Sequence, residues 1–355
     1  MSRAEFAGTM PVSELQRFDE ASLGRWLHGH LPGFAGLDRI EQFRGGQSNP
    51  TFLLTATDGS QYVLRKKPAG ALLPSAHAVD REFRVISALH GSEVPVARPL
   101  CLCTDVSVIG TIFYLMEYAA GRNLWDATLP GMTPPERAAL FDEMNRVMVA
   151  LHTLDYAAAG LADYGKPGNY FARQIGRWSG QYRASETERI EAMEKLLLWL
   201  PANIPAGEET ALVHGDFRLD NLIFHPRLPR MLAVVDWELS TLGHPLADFS
   251  YHVMLWRLPS GAGGLQGLDL IALGIPSEAD YIGAYCARSG RTGIEPRVWE
   301  FCMAYNLFRV ACIRQGILKR VLAGTAASRH AREAGAMARA TAEFAWRQVE
   351  EHLGG

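Results

Sequence analysis

The sequence has few cysteines and no strong excess of either charge, and both absences narrow the class of protein. Its five cysteines are odd in number and form no CxxC pair and no Cys/His cluster at zinc spacing. This favours a reducing, cytoplasmic location with buried thiols over a disulfide-linked secreted protein. Lys and Arg number 35 against 38 Asp and Glu, a net charge of −3, so we expect no nucleic-acid partner.

Long apolar segments are also absent. No uncharged stretch reaches the roughly 20 apolar residues that a transmembrane helix needs, and the first residues, MSRAEFAGTMPVSELQRF, lack the apolar region of a secretory signal. We therefore expect no signal peptide and no membrane partner. With 355 residues, 48% hydrophobic and 21% charged, the chain is long enough for two lobes with ordinary globular cores. Length and composition do not define an oligomeric state.

The order of predicted elements divides the chain into a β-rich part and a helical part. Hydrophobic periodicity and turn signals predict these elements in the first part: a helix over 19–31, strands over 40–43, 52–57 and 61–66, a helix over 77–90, and strands over 94–103 and 108–116. The second part is predicted to contain helices over 133–154, 185–200, 297–322 and 326–352, with short strands over 221–224 and 231–236.

Two local signals fix parts of this assignment. Asp58-Gly59 between two strand patterns indicates a hairpin turn. Thr133-Pro-Pro-Glu136 is typical of a helix start, with an N-cap threonine and a glutamate three residues later. We therefore predict an α+β fold with two lobes: a β-rich N-terminal lobe over 1–117, which includes a helical extension, and a mostly helical C-terminal lobe over 118–355.

The segment LVHGDFRLDNLIF, residues 212–224, followed by LAVVDWE, residues 232–238, carries the most chemical information. A strand delivers His-Gly-Asp into a short loop, and a hairpin returns to a second aspartate. This arrangement predicts that Asp216, Asn221 and Asp236 lie at one end of the hairpin. Carboxylate and amide oxygens suit Mg²⁺, which keeps water and substrate phosphates as its other ligands. The alternative is a polar turn in which Asp and Asn are structural.

The spacing HGDxxxxN, with a later aspartate, is that of a kinase catalytic loop and its metal-binding residue. It predicts that Asp216 accepts the proton of a substrate hydroxyl and that Asn221 and Asp236 hold the metal ion. We expect His214 to pack against the loop and hydrogen-bond it. We expect Asp248, in GHPLAD, to accept hydrogen bonds from the backbone near this loop. Roles for Arg218 and Glu238 stay open.

A glutamate on the apolar face of the helix over 77–90 predicts a buried ion pair. Glu82 needs a cation because an unpaired buried charge costs several kcal/mol. The strand over 61–66 offers one, since Arg65 and Lys67 share a face with Val63 by two-residue alternation. We expect Arg65, fixed by Glu82, to bind the α- and β-phosphates of a nucleotide. Lys67 is the same-face alternative, and an exposed basic strand end is also possible.

The loop between the first two strands has the composition of a phosphate-binding turn. Four residues are predicted to contact phosphate, partly through backbone N–H groups: Gly46, Gln47, Ser48 and Asn49. An ordinary turn would have a similar composition.

The end of the strand over 108–116 is predicted to meet the base of the nucleotide. There, adenine would bond to the backbone of Glu117 and Tyr118. Val63 on one side, with Ile223 and Val235 on the other, is suited to sandwich a purine. The alternative for these three residues is an ordinary core.

These motifs resemble the aminoglycoside phosphotransferase and choline kinase-like family, which has a protein-kinase-like fold; the resemblance covers about residues 38–255. More narrowly, four strings resemble the kinase-like domain fused to some acyl-CoA dehydrogenases: GGQSNPTFLL, YVLRKKPAGALLPSAHAVDREFRVI, HGDFRLDNLIF and DWELSTLGHPLADFSYH. The resemblance implies ATP and Mg²⁺ as cofactors and transfer of the γ-phosphate to a hydroxylated small molecule. The narrower resemblance implies a hydroxyacyl-CoA as that molecule.

Two departures bear on the substrate. Arg65 stands where drug-modifying members carry Lys, and because a guanidinium forks to phosphate oxygens, ATP binding should survive. The last hundred residues, 256–355, carry 12 Arg and Lys against 9 Asp and Glu. This surplus favours an anionic, partly apolar acceptor such as a CoA thioester over a polycationic aminoglycoside. It includes basic residues on the helix over 297–322, which alternatively form a solvated face: Arg309, Arg314, Lys319 and Arg320.

Three other functions are alternatives to this one. An aminoglycoside phosphotransferase would call for an acidic substrate pocket, and a nucleotide-binding pseudokinase would bind Mg·ATP without turnover. A protein kinase is disfavoured because no Ala-Pro-Glu follows Asp236.

Overall fold

The computed structural model describes residues 8–44, 49–68, 78–325 and 331–354, which form two compact units. Unit 1 comprises the described residues of Met1–Ala150, Ala157–Leu161 and Arg218–Ser240. Unit 2 comprises those of Leu151–Tyr156, Ala162–Phe217 and Thr241–Gly355. Unit 1 therefore extends beyond the predicted 1–117 lobe, and the division at 117/118 stays a prediction.

The helices and strands follow one another along the chain in this order: β1 Thr9–Met10, α1 Glu20–His30, β2 Leu37–Phe43, β3 Thr51–Ala56, β4 Gln61–Lys66, α2 Val79–Leu89, β5 Pro99–Cys103, β6 Phe113–Glu117, β7 Arg122–Asn123, α3 Pro134–His152, α4 Tyr170–Ser185, α5 Glu191–Ala202, β8 Ala211–Val213, β9 Leu222–Phe224, β10 Met231–Val234, β11 Thr241–Gly243, α6 Pro245–Arg257, α7 Leu270–Leu273, α8 Glu278–Ser289, α9 Pro296–Leu322, α10 Ala331–Ala336 and α11 Ala338–Leu353. None of these helices is both long and apolar enough to cross a membrane.

A six-stranded antiparallel sheet in the order β1-β2-β3-β4-β6-β5 forms the centre of unit 1. Alternate residues of its strands point to opposite faces. One face packs on α1 through an apolar cluster, in which Phe52, Leu54 and Leu64 are buried with Leu23 and Leu27. The alternation of β4 then directs its next residue, an arginine, to the opposite face. This is the local reason why a charged side chain enters the interior beside α2.

Turn and cap signals place the ends of these elements. Asp19 caps α1 by accepting a hydrogen bond from the Ser22 amide at 2.8 Å. In the β3–β4 hairpin, Gly59 adopts a φ of 84°. At the start of α3, the carboxylate of Glu136 accepts from the Thr133 amide at 2.7 Å, as in a capping box. The predicted hairpin turn and helix start are therefore confirmed.

A second, three-stranded sheet of unit 1 has the order β10-β9-β7. It contains the predicted hairpin, although β10 ends at Val234, two residues earlier than expected. Gly121 approaches this sheet so closely that a Cβ atom there would lie 2.4 Å from the Phe224 carbonyl oxygen. A residue with any side chain would displace backbone at this point.

Unit 2 is mainly helical, with one two-stranded sheet of β8 and β11. The long helix α9 is its central element and buries Phe301, Tyr305 and Phe308. All five cysteines of the chain lie within the described residues and are free thiols. Burial raises the pKa of the Cys101 thiol to about 11, so it remains protonated at neutral pH.

Several predicted boundaries are wrong in detail. The strands over 94–103 and 108–116 shorten to β5 and β6, and the helix over 185–200 begins at Glu191. The helix α4 was not predicted; Asn169 precedes it in a left-handed conformation, with no side-chain cap. In the helix predicted over 326–352, residues 326–330 lie outside the described residues, and the rest forms two helices, α10 and α11, on either side of Met337.

Candidate active site

A buried charge network in unit 1 joins the arginine of β4 to two carboxylates. Arg65 is 7% exposed and Glu82 is 1% exposed. Arg65 Nε lies 2.8 Å from Glu82 Oε2 as an ion pair, with the N–H itself not directed at that oxygen. Arg65 Nη2 donates to Asp236 Oδ1 at 2.5 Å. The cation predicted for Glu82 is therefore Arg65, and the same guanidinium reaches an aspartate 171 residues further along the chain.

Two neutral side chains complete the surroundings of Glu82. Asn49 Nδ2 donates to its Oε1 at 2.7 Å, and the Tyr114 hydroxyl donates to its Oε2 at 3.3 Å. Burial raises the pKa of Glu82, and the guanidinium of Arg65 opposes that shift. Burial by itself would lower the pKa of Arg65, but Glu82 and Asp236 outweigh it and raise the pKa. Arg65 therefore keeps its charge in the interior.

The predicted metal-binding residues meet at one end of the β9–β10 hairpin. The Val235 amide donates to the Asn221 carbonyl oxygen at 2.9 Å, which holds the residue before Asp236 against Asn221. Asp236 has a φ of 67°, an unfavourable conformation for a residue with a side chain. About a third of its side chain is exposed. The hairpin thus brings the backbone of Asn221 and the residue before Asp236 together at one end.

The chemistry of this donor set fits Mg²⁺. Carboxylate and amide oxygens are hard ligands, and two protein ligands leave room for water and phosphate oxygens. Within the described ranges, no group of three or more His, Cys, Asp or Glu residues could hold a metal ion. The fit therefore depends on Asn221 and Asp236, and Asp236 is also the partner of Arg65.

The predicted phosphate loop is described only in part. Gly46, Gln47 and Ser48 lie outside the described residues. Asn49 is fully buried, and its amide group is engaged with Glu82. A phosphate contact by Asn49 stays a prediction, whereas its support of Glu82 was not foreseen.

The residues predicted around the base lie on the two sheets of unit 1. Val63 is buried on β4, and Ile223 and Val235 are half-buried on and next to the hairpin. The Glu117 amide donates to the Arg98 carbonyl at 2.9 Å, and the Tyr118 amide donates to Gln61 at 3.4 Å. Both amides therefore already have protein acceptors. Contacts of these residues with a nucleotide stay predictions.

The predicted proton acceptor lies in unit 2, on a tightly anchored loop after β8. The amides of His214 and Gly215 donate to the two carboxylate oxygens of Asp248 at 2.7 and 2.8 Å. The Asp216 amide donates to His214 Nδ1 at 3.2 Å. Both supporting roles predicted for His214 and Asp248 are confirmed. Asp216 is partly exposed, whereas Gly215 and Phe217 on either side are buried.

Asp248 is held as a carboxylate in a fully buried position. His152 Nε2 lies 3.3 Å from its Oδ2. Burial raises the pKa of Asp248, but hydrogen bonds from His152 and from the loop amide of His214 outweigh this, and the pKa lies below its usual range. Asp248 therefore stays charged and keeps the loop amides aligned at neutral pH.

Two residues near Asp216 were not assigned to this loop by sequence reasoning. Tyr251 donates from its hydroxyl to Asp216 Oδ1 at 2.8 Å. Arg309 donates from Nη2 to the Gly215 carbonyl at 2.6 Å. The position of Tyr251, one helical turn after Asp248 on α6, is a signal that could have indicated it. Arg309 lies on α9, 94 residues after Gly215 in the sequence, and no local sequence pattern indicates this contact.

The basic residues of α9 are largely occupied by the protein itself. Besides Arg309, Arg314 binds the Thr341 hydroxyl, and Lys319 donates to the Ala184 carbonyl at 2.5 Å. The predicted basic surface for an anionic acceptor therefore loses much of its support from this helix.

The structure gives contacts for the two residues whose roles the sequence leaves open, Arg218 and Glu238. Arg218 forms an ion pair with Asp220 at 3.0 Å. Glu238 is half-buried and adds to the negative field at Arg65.

Three features are each typical of a phosphotransferase of protein-kinase-like fold. In unit 1 they are a strand arginine paired to a helix glutamate and a hairpin with an asparagine and an aspartate, and in unit 2 an aspartate on an anchored loop. The chain belongs to the phosphotransferase enzyme family, whose sequence model matches residues 39–284. The predicted fold, a β-rich N-terminal lobe and a mostly helical C-terminal lobe, is confirmed, and so is the family resemblance.

Relatives of high sequence similarity fall into two groups. The chain is 47% identical over 342 residues to mouse acyl-CoA dehydrogenase family member 10. This aligned region covers 95% of this chain and 32% of the mouse protein. It is 54% identical to a crystal structure from Ralstonia eutropha JMP134 assigned to the aminoglycoside phosphotransferases, with a TM-score of 0.86 over 94% of this chain and 99% of that one. The chain thus spans about a third of the mouse relative.

A more distant solved structure shares the fold. It is aminoglycoside phosphotransferase APH(4)-Ia in a ternary complex with AMP-PNP and hygromycin B. That protein is 17% identical, with a TM-score of 0.59 over 92% of this chain and 98% of that one.

Proposed function

We propose that this protein is an ATP-dependent O-phosphotransferase that acts on the hydroxyl group of a small molecule. In the reaction, the acceptor oxygen forms a bond to the γ-phosphorus, and the bond between that phosphorus and the β–γ bridging oxygen breaks. The hydroxyl proton passes to Asp216, and ADP leaves. The two-lobe division at residue 117 and the cytoplasmic location belong to the same proposal.

The observation that carries this proposal is the buried network of Arg65, Glu82 and Asp236. A guanidinium with two carboxylate partners is fixed in direction, so it can present its remaining N–H groups to phosphate oxygens without reorganisation. When bound, Mg²⁺ would neutralise charge on the phosphates, with Asn221 and Asp236 as the protein ligands. Positioning and charge neutralisation supply most of the catalysis in phosphoryl transfer.

For the acceptor we propose a hydroxyacyl-CoA. The support is the mouse relative, whose name contains acyl-CoA dehydrogenase and whose similarity to this chain extends over 95% of it. The basic surplus of residues 256–355 is a weaker argument, because several of those residues already bind protein groups. An aminoglycoside is the competing acceptor, favoured by the assignment of the Ralstonia structure.

The test is a parallel phosphorylation assay with Mg·ATP and a panel of acceptors: hydroxyacyl-CoAs, aminoglycosides, choline and sugars. Mass spectrometry would detect the addition of one phosphoryl group. We expect transfer to a hydroxyacyl-CoA and none with Asp216→Asn, while Tyr281→Phe, a buried tyrosine of unit 2 outside the loop, serves as the active control. Transfer to aminoglycosides alone would overturn the acceptor assignment. Binding of Mg·ATP without transfer to any acceptor would favour a pseudokinase.

A further inference from the structure

A tyrosine and an arginine of unit 2 hold the loop that carries Asp216. Tyr251 is 9% exposed, and its hydroxyl donates to Asp216 Oδ1 at 2.8 Å. The contact is made to the carboxylate itself and not to the backbone of the loop. The direction of the carboxylate plane therefore depends on where the tyrosine ring lies.

The ring of Tyr251 is in turn held by Arg309. The guanidinium of Arg309 lies 4.7 Å from the centre of the Tyr251 ring and 5.6 Å from the Trp178 ring, both within the range of cation–π contacts. Arg309 is 5% exposed, and its Nη2 donates to the Gly215 carbonyl at 2.6 Å. Burial by itself would lower the pKa of Arg309, but the neighbouring tyrosines and Asp216 raise it. One buried cation thus contacts both the ring and the loop.

Gly215, the residue before Asp216, is held at both its N–H and its carbonyl group, which restricts the conformation of the loop. Gly215 donates its N–H to Asp248, accepts at its carbonyl from Arg309, and has a φ of 81°, which favours glycine. The backbone before Asp216 is therefore held from both sides, by a carboxylate of α6 and by a guanidinium of α9. Tyr251 adds a third contact, to the side chain of Asp216.

We propose that Tyr251 and Arg309 are positioning residues for phosphoryl transfer. Tyr251 sets the orientation of the Asp216 carboxylate, and Arg309 sets the positions of the Tyr251 ring and the Gly215 carbonyl. The proposal rests on the proposed function, since it requires Asp216 to accept the proton of the acceptor hydroxyl. A displacement of about 1 Å at a reacting group can lower a rate about 100-fold, so an oriented base is a large contribution to turnover.

The test compares two tyrosine-to-phenylalanine variants. Tyr251→Phe keeps the ring under Arg309 and removes only the hydroxyl. Tyr281→Phe is the matched control, because the Tyr281 hydroxyl also makes a buried hydrogen bond in unit 2, with His252 Nε2 at 2.9 Å. With Mg·ATP and 3-hydroxybutyryl-CoA or 4-hydroxybutyryl-CoA, we expect Tyr251→Phe to lower kcat about 10-fold or more. We expect the KM for ATP to stay within about twofold, and the control to keep its kcat.

A second pair of variants examines the arginine. Arg309→Lys keeps a cation and a donor, and Arg309→Met removes both. We expect Arg309→Met to lower kcat further than Arg309→Lys, again with little change in the KM for ATP. A merely structural role would lower the fraction of folded enzyme and leave kcat per active site unchanged.

Two results would overturn the proposal. One is a Tyr251→Phe enzyme whose kcat equals that of the Tyr281→Phe control. The other comes from crystal structures of the wild type and Tyr251→Phe in which the Asp216 carboxylate has the same orientation. The comparison of crystal structures needs no substrate, so it tests the positioning role even if the wild type phosphorylates no acceptor. A wild type without any transfer activity would count against the proposed function and not against the positioning role.

Discussion

Replacing Glu82 by glutamine perturbs the buried charge network at its centre. In the native protein, Asn49 donates to one carboxylate oxygen at 2.7 Å. The other oxygen receives the Tyr114 hydroxyl at 3.3 Å and lies 2.8 Å from Arg65 Nε. Both oxygens therefore face donors or positive charge. These surroundings favour an ionised carboxylate, because the hydrogen of a protonated carboxyl group would point at groups that are themselves donors or cations.

Glutamine cannot satisfy this site in either orientation of its amide. If its oxygen faces Arg65, its NH₂ group meets the donor of Asn49; if it faces Asn49, its NH₂ group meets the guanidinium. A buried polar group without a partner costs about 1–3 kcal/mol, and breaking a buried ion pair from one side costs about 3–5 kcal/mol. Arg65 keeps Asp236 as a partner, so we expect a loss of about 3 kcal/mol in the free energy of unfolding.

The assay is urea denaturation followed by circular dichroism, with hydrogen exchange of α2 and β4 to localise the effect to unit 1. Glu117→Gln is the matched control, since Glu117 is half-exposed and lies 3.2 Å from an exposed Arg98. Surface pairs of this kind contribute about 0–1 kcal/mol. If the free energies of unfolding of the two variants lie within about 1 kcal/mol of each other, the buried network does not stabilise unit 1.

Three further predictions concern separate sites. Asp216→Asn should lower turnover at least about 100-fold while the Kd for Mg·ATP, measured by calorimetry, stays within about twofold; normal turnover would remove Asp216 from the mechanism. Burial lowers the pKa of His252 to about 4, so the unfolded chain binds a proton there that the native protein does not, and this histidine should contribute a fall of about 3 kcal/mol in the free energy of unfolding as the pH drops from 6.5 to 4. His244, whose pKa burial also lowers to about 4, adds to the same slope, so His252→Gln should reduce the dependence of the urea midpoint on pH without abolishing it; an unchanged slope would contradict the assignment. Gly121→Ala should destabilise by about 1–3 kcal/mol in thermal unfolding because its Cβ would meet backbone of Phe224, whereas Gly180→Ala, in open space on α4, should be neutral or stabilising.

The parts of the fold that depend on neighbours in sequence were predictable. The start of α3 follows from a threonine and a glutamate three residues apart, whose hydrogen bonds close within one turn. The β3–β4 hairpin follows from Asp58-Gly59, because glycine accepts the positive φ of the turn. The hairpin that brings Asn221 and Asp236 together was also predictable, since a short turn returns the chain to the same end.

Elements whose ends depend on packing were not predictable in the same way. The C-terminal helix pattern is continuous in sequence, yet α10 and α11 are separate. The packing of α10 is likewise not visible in the sequence: a Cβ atom at Gly335 would lie 2.8 Å from Leu318 Cα, so α10 approaches α9 at backbone distance. Such a close approach depends on the position of another helix.

The sequence by itself determined the residue types of the site and their local spacing: the His-Gly-Asp loop, the hairpin with Asn221 and Asp236, and a glutamate on an apolar helix face that required a cation. Only the tertiary structure decided which cation Glu82 contacts, and that Arg65 also binds Asp236. It likewise decided that Arg309 is buried and donates to the Gly215 carbonyl, in the loop that carries Asp216, instead of facing solvent. The physical reason is the sequence distance over which each interaction acts. Turns and helical periodicity depend on residues a few positions apart, whereas a buried charge needs a partner that can come from any part of the chain.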